Sequence, residues 1–320
     1  MNRKKIVAFL IAVALVVALM WLPECGNDAN PDNRAASDRN SGSVNEYVTG
    51  NEDGDLSEEN ICVDELSQVH EYPLVSGHRG ANDIAPENTM ASVDSCIKYG
   101  IEIMETDVKI SSDSVFYVLH DWKLDRTTNG SGYLYERPSS YVDKLDAGAW
   151  FGKEWAGQKV PRFKDLLRKA KKGGLMITID YKDGDIEKLV DLVKSEGMLD
   201  RTFFTFSKEA AAIDFRARYP HVRTLQAYLR DADELDHVIE VMDPDVVATN
   251  MKHINKKFVE ECHSRNIKVL ALILGLENKS KLNCKALEYG VDIVATDRPK
   301  ACKQQYIQSE FLTTSLKTRK

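Results

Sequence analysis

The chain has 320 residues, of which 43% are hydrophobic and 8% aromatic, enough apolar content for one full-sized α/β domain with additional segments. Its formal net charge of −7 is unevenly distributed, because residues 24–60 carry most of the acidic excess while residues 61–320 are nearly neutral. A nearly neutral main region lacks the basic surface that binds the phosphate backbone of a nucleic acid, so nucleic acid is not expected as a partner. The six cysteines form no C-x-x-C pair, which argues against a zinc knuckle or a thioredoxin-like redox site.

The amino-terminal segment predicts a connection to a membrane. Residues 6–22 form an uninterrupted apolar run of 17 residues behind three basic side chains. This length just suffices to span a bilayer, and positive charges kept inside direct everything that follows to the outside. We predict a transmembrane anchor over residues 1–23, and therefore a cell-membrane protein whose main domain is extracytoplasmic. A cleaved signal that yields a secreted protein and a lipoprotein with its lipid on Cys25 are the alternatives.

Residues 24–60 are rich in Asn, Asp, Ser and Gly and contain almost no apolar side chains. Such a segment cannot bury enough surface to offset the entropy lost on ordering. We predict a disordered acidic linker there, followed by the main domain over residues 61–320.

From Pro73 onward, short β-rich runs alternate with amphipathic helical stretches. Eight strand-helix units result if the tail after Pro299 supplies the last helix, and the continuous apolar runs are typical of parallel strands buried on both faces. The pattern predicts a (β/α)8 TIM barrel. The run over 115–120 is predicted to be a hairpin partner or an extension of the second strand. The predicted strands cover 74–78, 101–110, 115–120, 175–180, 202–206, 222–228, 245–249, 268–274 and 292–296. The predicted helices cover 89–99, 163–172, 186–196, 208–219, 231–242, 254–265 and 279–289.

Carboxylates recur at a spacing of two near the ends of the predicted strands. Glu105 and Asp107 lie on the second strand and so point to the same face, and Asp180 with Lys182 repeats that spacing later in the chain. Acidic groups that face inward at a barrel rim repel one another unless a cation neutralises them. Because clustered oxygen ligands suit Mg²⁺ or Ca²⁺, we predict that Glu105, Asp107 and Asp180 bind one divalent ion.

Two histidines are candidates for acid-base catalysis, because each ends an apolar run where a barrel enzyme has its active site. His78 ends the first predicted strand and His120 ends the run over 115–120. Imidazole groups can exchange protons near neutral pH, so a pair can divide the roles of acid and base.

Four motifs follow one another in the first part of the predicted barrel. They are His78-Arg79-Gly80, Pro86 to Thr89, Glu105 with Asp107, and His120-Asp121 followed by Leu124, Arg126, Thr127 and Thr128. Together they resemble the signatures of the glycerophosphodiester phosphodiesterase family, which belongs to the phospholipase C-like phosphodiesterase barrels. The resemblance covers about Val75 to Pro299 and is strongest at both ends.

The resemblance implies metal-dependent hydrolysis of a small glycerophosphodiester to sn-glycerol 3-phosphate and an alcohol. One histidine would remove the proton of the nucleophile, commonly a neighbouring hydroxyl of the substrate itself. The other histidine, which we assign as His120, would protonate the leaving alcohol, and a cyclic phosphate would form and then be hydrolysed. Arg79 and Lys182 would stabilise charge on the phosphoryl oxygens.

Several supporting roles also follow from the resemblance. Glu87 would either contact the ion or the glycerol hydroxyls, or cap the helix that begins near Thr89. Asp121 would orient His120. Residues 121–160 would be a small insertion beside the active site. Its aromatic side chains would either cover the substrate or form a small core within the insertion: Trp150, Phe151 and Trp155.

Two departures from the family pattern keep other functions open. The chain has Asp180-Tyr181-Lys182 where the family usually has Glu-x-Lys, and Leu272 to Gly275 where it commonly has Trp-Thr-x-Asn. The first departure also resembles phospholipase D-like barrels, which cleave lysophospholipids or sphingomyelin. Both departures would fit a catalytically impaired phosphodiester or lipid binder. The sequence makes no prediction of the oligomeric state.

Overall fold

A computed structural model describes residues 72–222, 224–275 and 279–317. The predicted anchor over residues 1–23 and the predicted linker over 24–60 lie outside these ranges. Within them, no helix combines the length and the apolar character that crossing a bilayer requires.

Eight parallel strands close into a barrel, which confirms the predicted fold. Neighbouring strands pair in the order β1-β9-β8-β7-β6-β5-β4-β2, and pairing of β1 with β2 closes the ring. The remaining strand, β3, pairs antiparallel with β2, so the hairpin interpretation of this segment is correct. The strands are β1 Leu74–Gly77, β2 Ile103–Ile110, β3 Phe116–Val118, β4 Met176–Tyr181, β5 Thr202–Phe206, β6 Leu225–Tyr228, β7 Val246–Asn250, β8 Lys268–Ile273 and β9 Ile293–Thr296.

Helices follow the barrel strands as predicted, including one after Pro299 that completes the eighth unit. The α-helices are α1 Met90–Tyr99, α2 Ser139–Val142, α3 Phe163–Lys172, α4 Ile186–Ser195, α5 Glu209–Arg218, α6 Leu235–Met242, α7 Lys256–Ser264, α8 Lys279–Tyr289 and α9 Pro299–Lys317. Short 3-10 helices cover Leu134–Glu136, Lys153–Trp155, Leu199–Arg201, Ala232–Glu234 and Met251–His253.

The interior of the barrel changes from apolar to polar along the strands. A buried cluster made entirely of strand residues fills its lower part: Leu74, Ile103, Met176, Phe203, Val246, Ala248, Leu270, Ile293 and Ala295. Because strand side chains alternate between faces, the residue two positions after Ile103 points inward as well, and that residue is Glu105. Thr178 and then Asp180 follow Met176 on β4 in the same way. The apolar cluster is therefore the floor on which the polar site rests.

The segment over 121–160 forms a compact subdomain with its own core. The core side chains are aliphatic apart from one tyrosine, and they come from the insertion and the strand that leads into it: Tyr117, Leu119, Leu124, Leu134, Val142, Leu145, Ala147 and Val160. Phe151 instead packs edge to face against Trp150 and Trp155, and Trp150 is 42% exposed. These three rings pack against one another outside that core.

Candidate active site

The His78-Arg79-Gly80 motif forms a tight turn at the carboxyl end of β1. The amide of Gly80 donates to the carbonyl of Gly77 at 3.0 Å, and Arg79 has the left-handed φ of 55°. A Cβ at Gly80 would lie 2.0 Å from Oγ of Ser92, so glycine is required there. The turn directs the peptide N–H of Arg79 to Oε2 of Glu105 at 2.7 Å. A main-chain hydrogen bond from this motif thereby fixes the carboxylate of Glu105, one of the predicted metal ligands.

The Pro86 to Thr89 motif fixes a second carboxylate and begins helix α1. Asn88, with a φ of 54°, donates from Nδ2 to Oδ2 of Asp107 at 2.9 Å. Thr89 is the N-cap, because its hydroxyl accepts from the amide of Ser92 at 3.3 Å. The interpretation of Glu87 as the helix cap is therefore wrong, since the cap is the short side chain two residues nearer the helix.

Glu87 takes part in an ion-pair network with two arginines. Its carboxylate accepts from Nη1 of Arg79 at 2.9 Å and from both Nη atoms of Arg126 at 2.8 and 3.0 Å. Arg126 also donates to both oxygens of Asp121, at 2.7 and 2.8 Å. Burial opposes ionisation of Glu87, but the hydrogen bond from Arg126 and the charge of Arg79 keep its pKa below the usual value. Arg126, whose guanidinium can engage two carboxylates at once, links the two motifs.

Three carboxylates converge at the carboxyl ends of β2 and β4. Asp107 and Asp180 are register partners on the paired strands, and one oxygen from each of Glu105, Asp107 and Asp180 lies within 4.8 Å of the others. Burial, with the charges of Asp107 and Asp180, raises the pKa of Glu105 well above its usual value. Burial also raises the pKa of Asp180. These oxygens fit a hard divalent cation, which would relieve the repulsion among them.

Both cations predicted to bind phosphate lie beside this carboxylate triad. The ammonium of Lys182 pairs with Asp180 and lies 3.4 Å from Oδ1 of Asp107, and Nε of Arg79 lies 3.8 Å from Oδ2 of Asp107. Burial disfavours the charge of Lys182, but Asp180 and Asp107 outweigh it and raise its pKa. The site therefore combines a negative cluster with cations at its edge, where a phosphodiester oxygen can reach both.

Each candidate histidine has an aspartate at Nδ1. His78 Nδ1 lies 2.7 Å from Oδ1 of Asp297, and His120 Nδ1 lies 2.7 Å from Oδ1 of Asp121. The hydrogen bond with His78 lowers the pKa of Asp297, and hydrogen bonds from Arg126 and then His120 lower that of Asp121. A carboxylate at Nδ1 fixes the ring and leaves Nε2 free to exchange a proton.

Two members of the site were not predicted from the sequence. Asp297 immediately follows the last strand, in a segment that matches the family closely, and this was the available signal. Lys109 is 1% exposed and donates to the carbonyls of Leu119 (at 2.9 Å) and His120. Burial lowers the pKa of Lys109 to about 8. Its position two residues after Asp107 on the inward face was the signal for it.

The geometry defines a class of protein: a (β/α)8 barrel with an acidic triad, flanking cations and two carboxylate-supported histidines at the carboxyl ends of its strands. The family model described as "Glycerophosphoryl diester phosphodiesterase family" matches residues 78–301. The chain belongs to this family, and membership confirms the predicted enzyme class, that of the phosphoric diester hydrolases.

Individual relatives agree with this assignment. The chain is 27% identical over 232 residues to the glycerophosphodiester phosphodiesterase of Caldanaerobacter subterraneus subsp. tengcongensis, covering 71% of this chain and 94% of the relative. The solved glycerophosphodiester phosphodiesterase of Agrobacterium tumefaciens has a TM-score of 0.67 and 30% identity, covering 72% of this chain and 99% of its own. An Oleispira antarctica phosphodiesterase in complex with the product sn-glycerol-3-phosphate has a TM-score of 0.66 and 26% identity, covering 73% and 96%.

Proposed function

We propose that this protein hydrolyses small glycerophosphodiesters to sn-glycerol 3-phosphate and an alcohol, with a divalent cation and two histidines. The observation that carries the proposal is the convergence of Glu105, Asp107 and Asp180 within 4.8 Å of one another, beside two histidines that each have an aspartate at Nδ1. A solved relative in complex with sn-glycerol-3-phosphate supports the assignment of the product.

Proton transfer is the task of the histidines. His78 would take the proton of a hydroxyl adjacent to the phosphodiester on the substrate, and the hydroxyl oxygen would then attack phosphorus. The bond from phosphorus to the leaving alcohol breaks as His120 gives that oxygen a proton, which leaves a cyclic phosphate. Water would then open the ring as the two histidines exchange roles, and sn-glycerol 3-phosphate would be released.

Charge stabilisation is the task of the carboxylate triad and its neighbouring cations. Glu105, Asp107 and Asp180 would hold Mg²⁺ or Ca²⁺, which as a Lewis acid draws electron density from a phosphoryl oxygen. Arg79 and Lys182 would bind the remaining oxygens, and they need no reorganisation because hydrogen bonds and ion pairs already orient them.

The alternative of an impaired binder has less support. Asp180 joins the triad even though it is one methylene shorter than the usual glutamate, so the first departure from the family pattern leaves the candidate ion site complete. The phospholipase D-like alternative predicts a different phosphate product, since loss of the head group from a lysophospholipid or from sphingomyelin leaves the phosphate on the lipid.

Product analysis distinguishes these functions. The purified protein would be incubated with glycerophosphocholine, lysophosphatidylcholine or sphingomyelin, and choline and sn-glycerol 3-phosphate would be measured by coupled enzymatic assays. We expect equal amounts of both products from glycerophosphocholine, and loss of turnover in His78→Ala and His120→Ala. Release of choline from lysophosphatidylcholine or sphingomyelin but not from glycerophosphocholine would favour the phospholipase D-like function. Saturable binding of a substrate without turnover would favour the binder.

We also propose, from the sequence alone, that residues 1–23 anchor the protein in the cell membrane with its main domain extracytoplasmic. Deletion of residues 6–22 should release the protein from the membrane fraction. Retention of the deletion variant in that fraction would contradict the proposal.

A further inference from the structure

A small cavity of about 50 Å³ opens inside the barrel beside the candidate active site. His78, which follows β1, and Glu105 of β2 line it, and the rest of the lining is Ser76, Thr178, Gln226, Leu270, Leu272, Leu274 and Ala295. A cavity of this size has room for a small polar fragment but none for a fatty acyl chain. The cavity therefore suits a part of the substrate that lies next to His78.

Gln226 supplies an unsatisfied polar group to this cavity. Its side chain is 9% exposed, and Oε1 is buried and accepts no hydrogen bond from any of the residues that the structure describes. A buried amide oxygen without a hydrogen bond destabilises the fold. A ligand hydroxyl would satisfy the amide, since a hydroxyl can both donate and accept.

The strand pairing explains why Gln226 points into the barrel. Gln226 is the register partner of Val246, and Val246 belongs to the apolar cluster that fills the lower interior. Paired residues of neighbouring parallel strands share a face, so the amide rises from the same interior wall as that cluster.

The wall that β8 contributes is apolar. Leu272 of β8 and Leu274 just after it line the cavity, and Leu272 stands where the family pattern commonly has tryptophan. Aliphatic side chains can pack against carbon atoms but offer no hydrogen bond. Besides His78 and Glu105, the polar side chains that line the cavity are Ser76, Thr178 and Gln226, and of these three Gln226 has a buried atom without a hydrogen bond.

We propose that Gln226 binds the free terminal hydroxyl of the substrate's glycerol moiety while Leu272 and Leu274 contact its carbon atoms. The inference rests on the proposed function. In that mechanism the hydroxyl adjacent to the phosphoester approaches His78, so the glycerol moiety lies at the cavity and its other hydroxyl is left for the amide. Gln226 is thus a specificity-determining residue that selects glycerol over a diol.

A pair of substrates tests the inference. Glycerophosphocholine has both hydroxyls, whereas the phosphocholine ester of propane-1,2-diol keeps the attacking hydroxyl and lacks the terminal one. We expect wild-type kcat/KM to favour glycerophosphocholine by about tenfold or more, because a site built for a hydroxyl rejects the analogue without it. Gln226→Met should remove this preference, with kcat/KM for the diol ester within about twofold of wild type.

Thermal unfolding separates recognition from a structural role. Because Gln226→Met removes a buried oxygen that has no hydrogen bond, its Tm should equal or exceed that of the wild type. A clear fall in Tm, or an unchanged preference for glycerophosphocholine, would overturn the inference. If the wild type hydrolyses neither ester, the proposed function fails. The inference is then judged by calorimetry with sn-glycerol 3-phosphate and propane-1,2-diol 1-phosphate, where equal wild-type affinities would overturn it.

Discussion

Nδ1 of His78 lies 2.7 Å from Oδ1 of Asp297, although the two residues are 219 positions apart. They come together because β1 pairs with β9 when the barrel closes. The amide of Gly275 donates to the other oxygen of Asp297 at 2.7 Å, which fixes the carboxylate. Correct placement of His78 therefore depends on the last strand of the barrel as well as on the first.

Asp297→Asn should impair catalysis more than substrate binding. The amide keeps the shape of the carboxylate but cannot stabilise a protonated imidazole, so we expect kcat to fall by about 10- to 100-fold with KM changed much less. Asp292→Asn is a matched control, because Asp292 lies at the other end of β9 and also lies 2.7 Å from a histidine, His263. Steady-state kinetics should show a normal kcat for the control. Equal losses in both variants would contradict a specific role for Asp297.

Asp297 should also contribute to the pH dependence of stability. Its hydrogen bond with His78 lowers its pKa from 3.8, so the folded state binds this proton more weakly than the unfolded state does. The stabilisation is present above pH 3.8 and is lost as the pH falls through that value towards the folded-state pKa. Urea unfolding between pH 5 and pH 3 should show a smaller loss of stability in Asp297→Asn than in the wild type. Parallel curves would show that the ionised carboxylate adds nothing.

Lys109→Met should reduce both stability and turnover. The substitution removes the donor for two carbonyls at the end of the β3 segment, one of them that of His120, and should cost about 2–4 kcal/mol. Lys303→Met is the control, since Lys303 is another buried lysine, paired with Glu102 and Tyr72. Denaturation and kinetics should show that both variants lose stability and that kcat falls in Lys109→Met alone. An unchanged kcat there would mean that Lys109 does not position His120.

Asp180 should determine how tightly the ion binds. Asp180→Asn removes one charge from the triad, and we expect the Mg²⁺ or Ca²⁺ concentration for half-maximal activity to rise by about tenfold or more. Asp180→Glu restores the residue usual in the family and should change that concentration little. Asp183→Asn removes a nearby charge outside the triad and serves as the control. An equal effect of Asp180→Asn and Asp183→Asn would show that the loss of a nearby negative charge, and not the loss of a metal ligand, weakens ion binding.

The sequence predicted those parts of the site that short-range patterns encode. Glu105 and Asp107 are two residues apart on one strand, so their shared face follows from strand geometry alone. His78 and His120 were predicted because each ends an apolar run within a recognisable motif. The alternation of strands and helices likewise predicted the barrel and the place of Asp180 on its rim.

The remaining features depend on contacts that no local pattern encodes. Asp297 meets His78 only through closure of the ring, and Gln226 looks like any polar residue in a short strand until its burial is known. Lys109 shares the inward face of Glu105 and Asp107, but its burial against the carbonyls of Leu119 and His120 depends on where the segment after β3 lies. Glu87 was wrongly considered as a helix cap because the choice between Glu87 and Thr89 depends on backbone geometry at the turn.

Metal reconstitution tests the central claim most directly. The protein would be freed of divalent ions with EDTA, and release of sn-glycerol 3-phosphate from glycerophosphocholine would be followed as Mg²⁺ or Ca²⁺ is added back. We predict no turnover before addition, saturable recovery afterwards, and no recovery in Asp107→Asn at concentrations that restore the wild type. Full turnover in EDTA, or equal recovery in the variant, would contradict a metal site built from Glu105, Asp107 and Asp180.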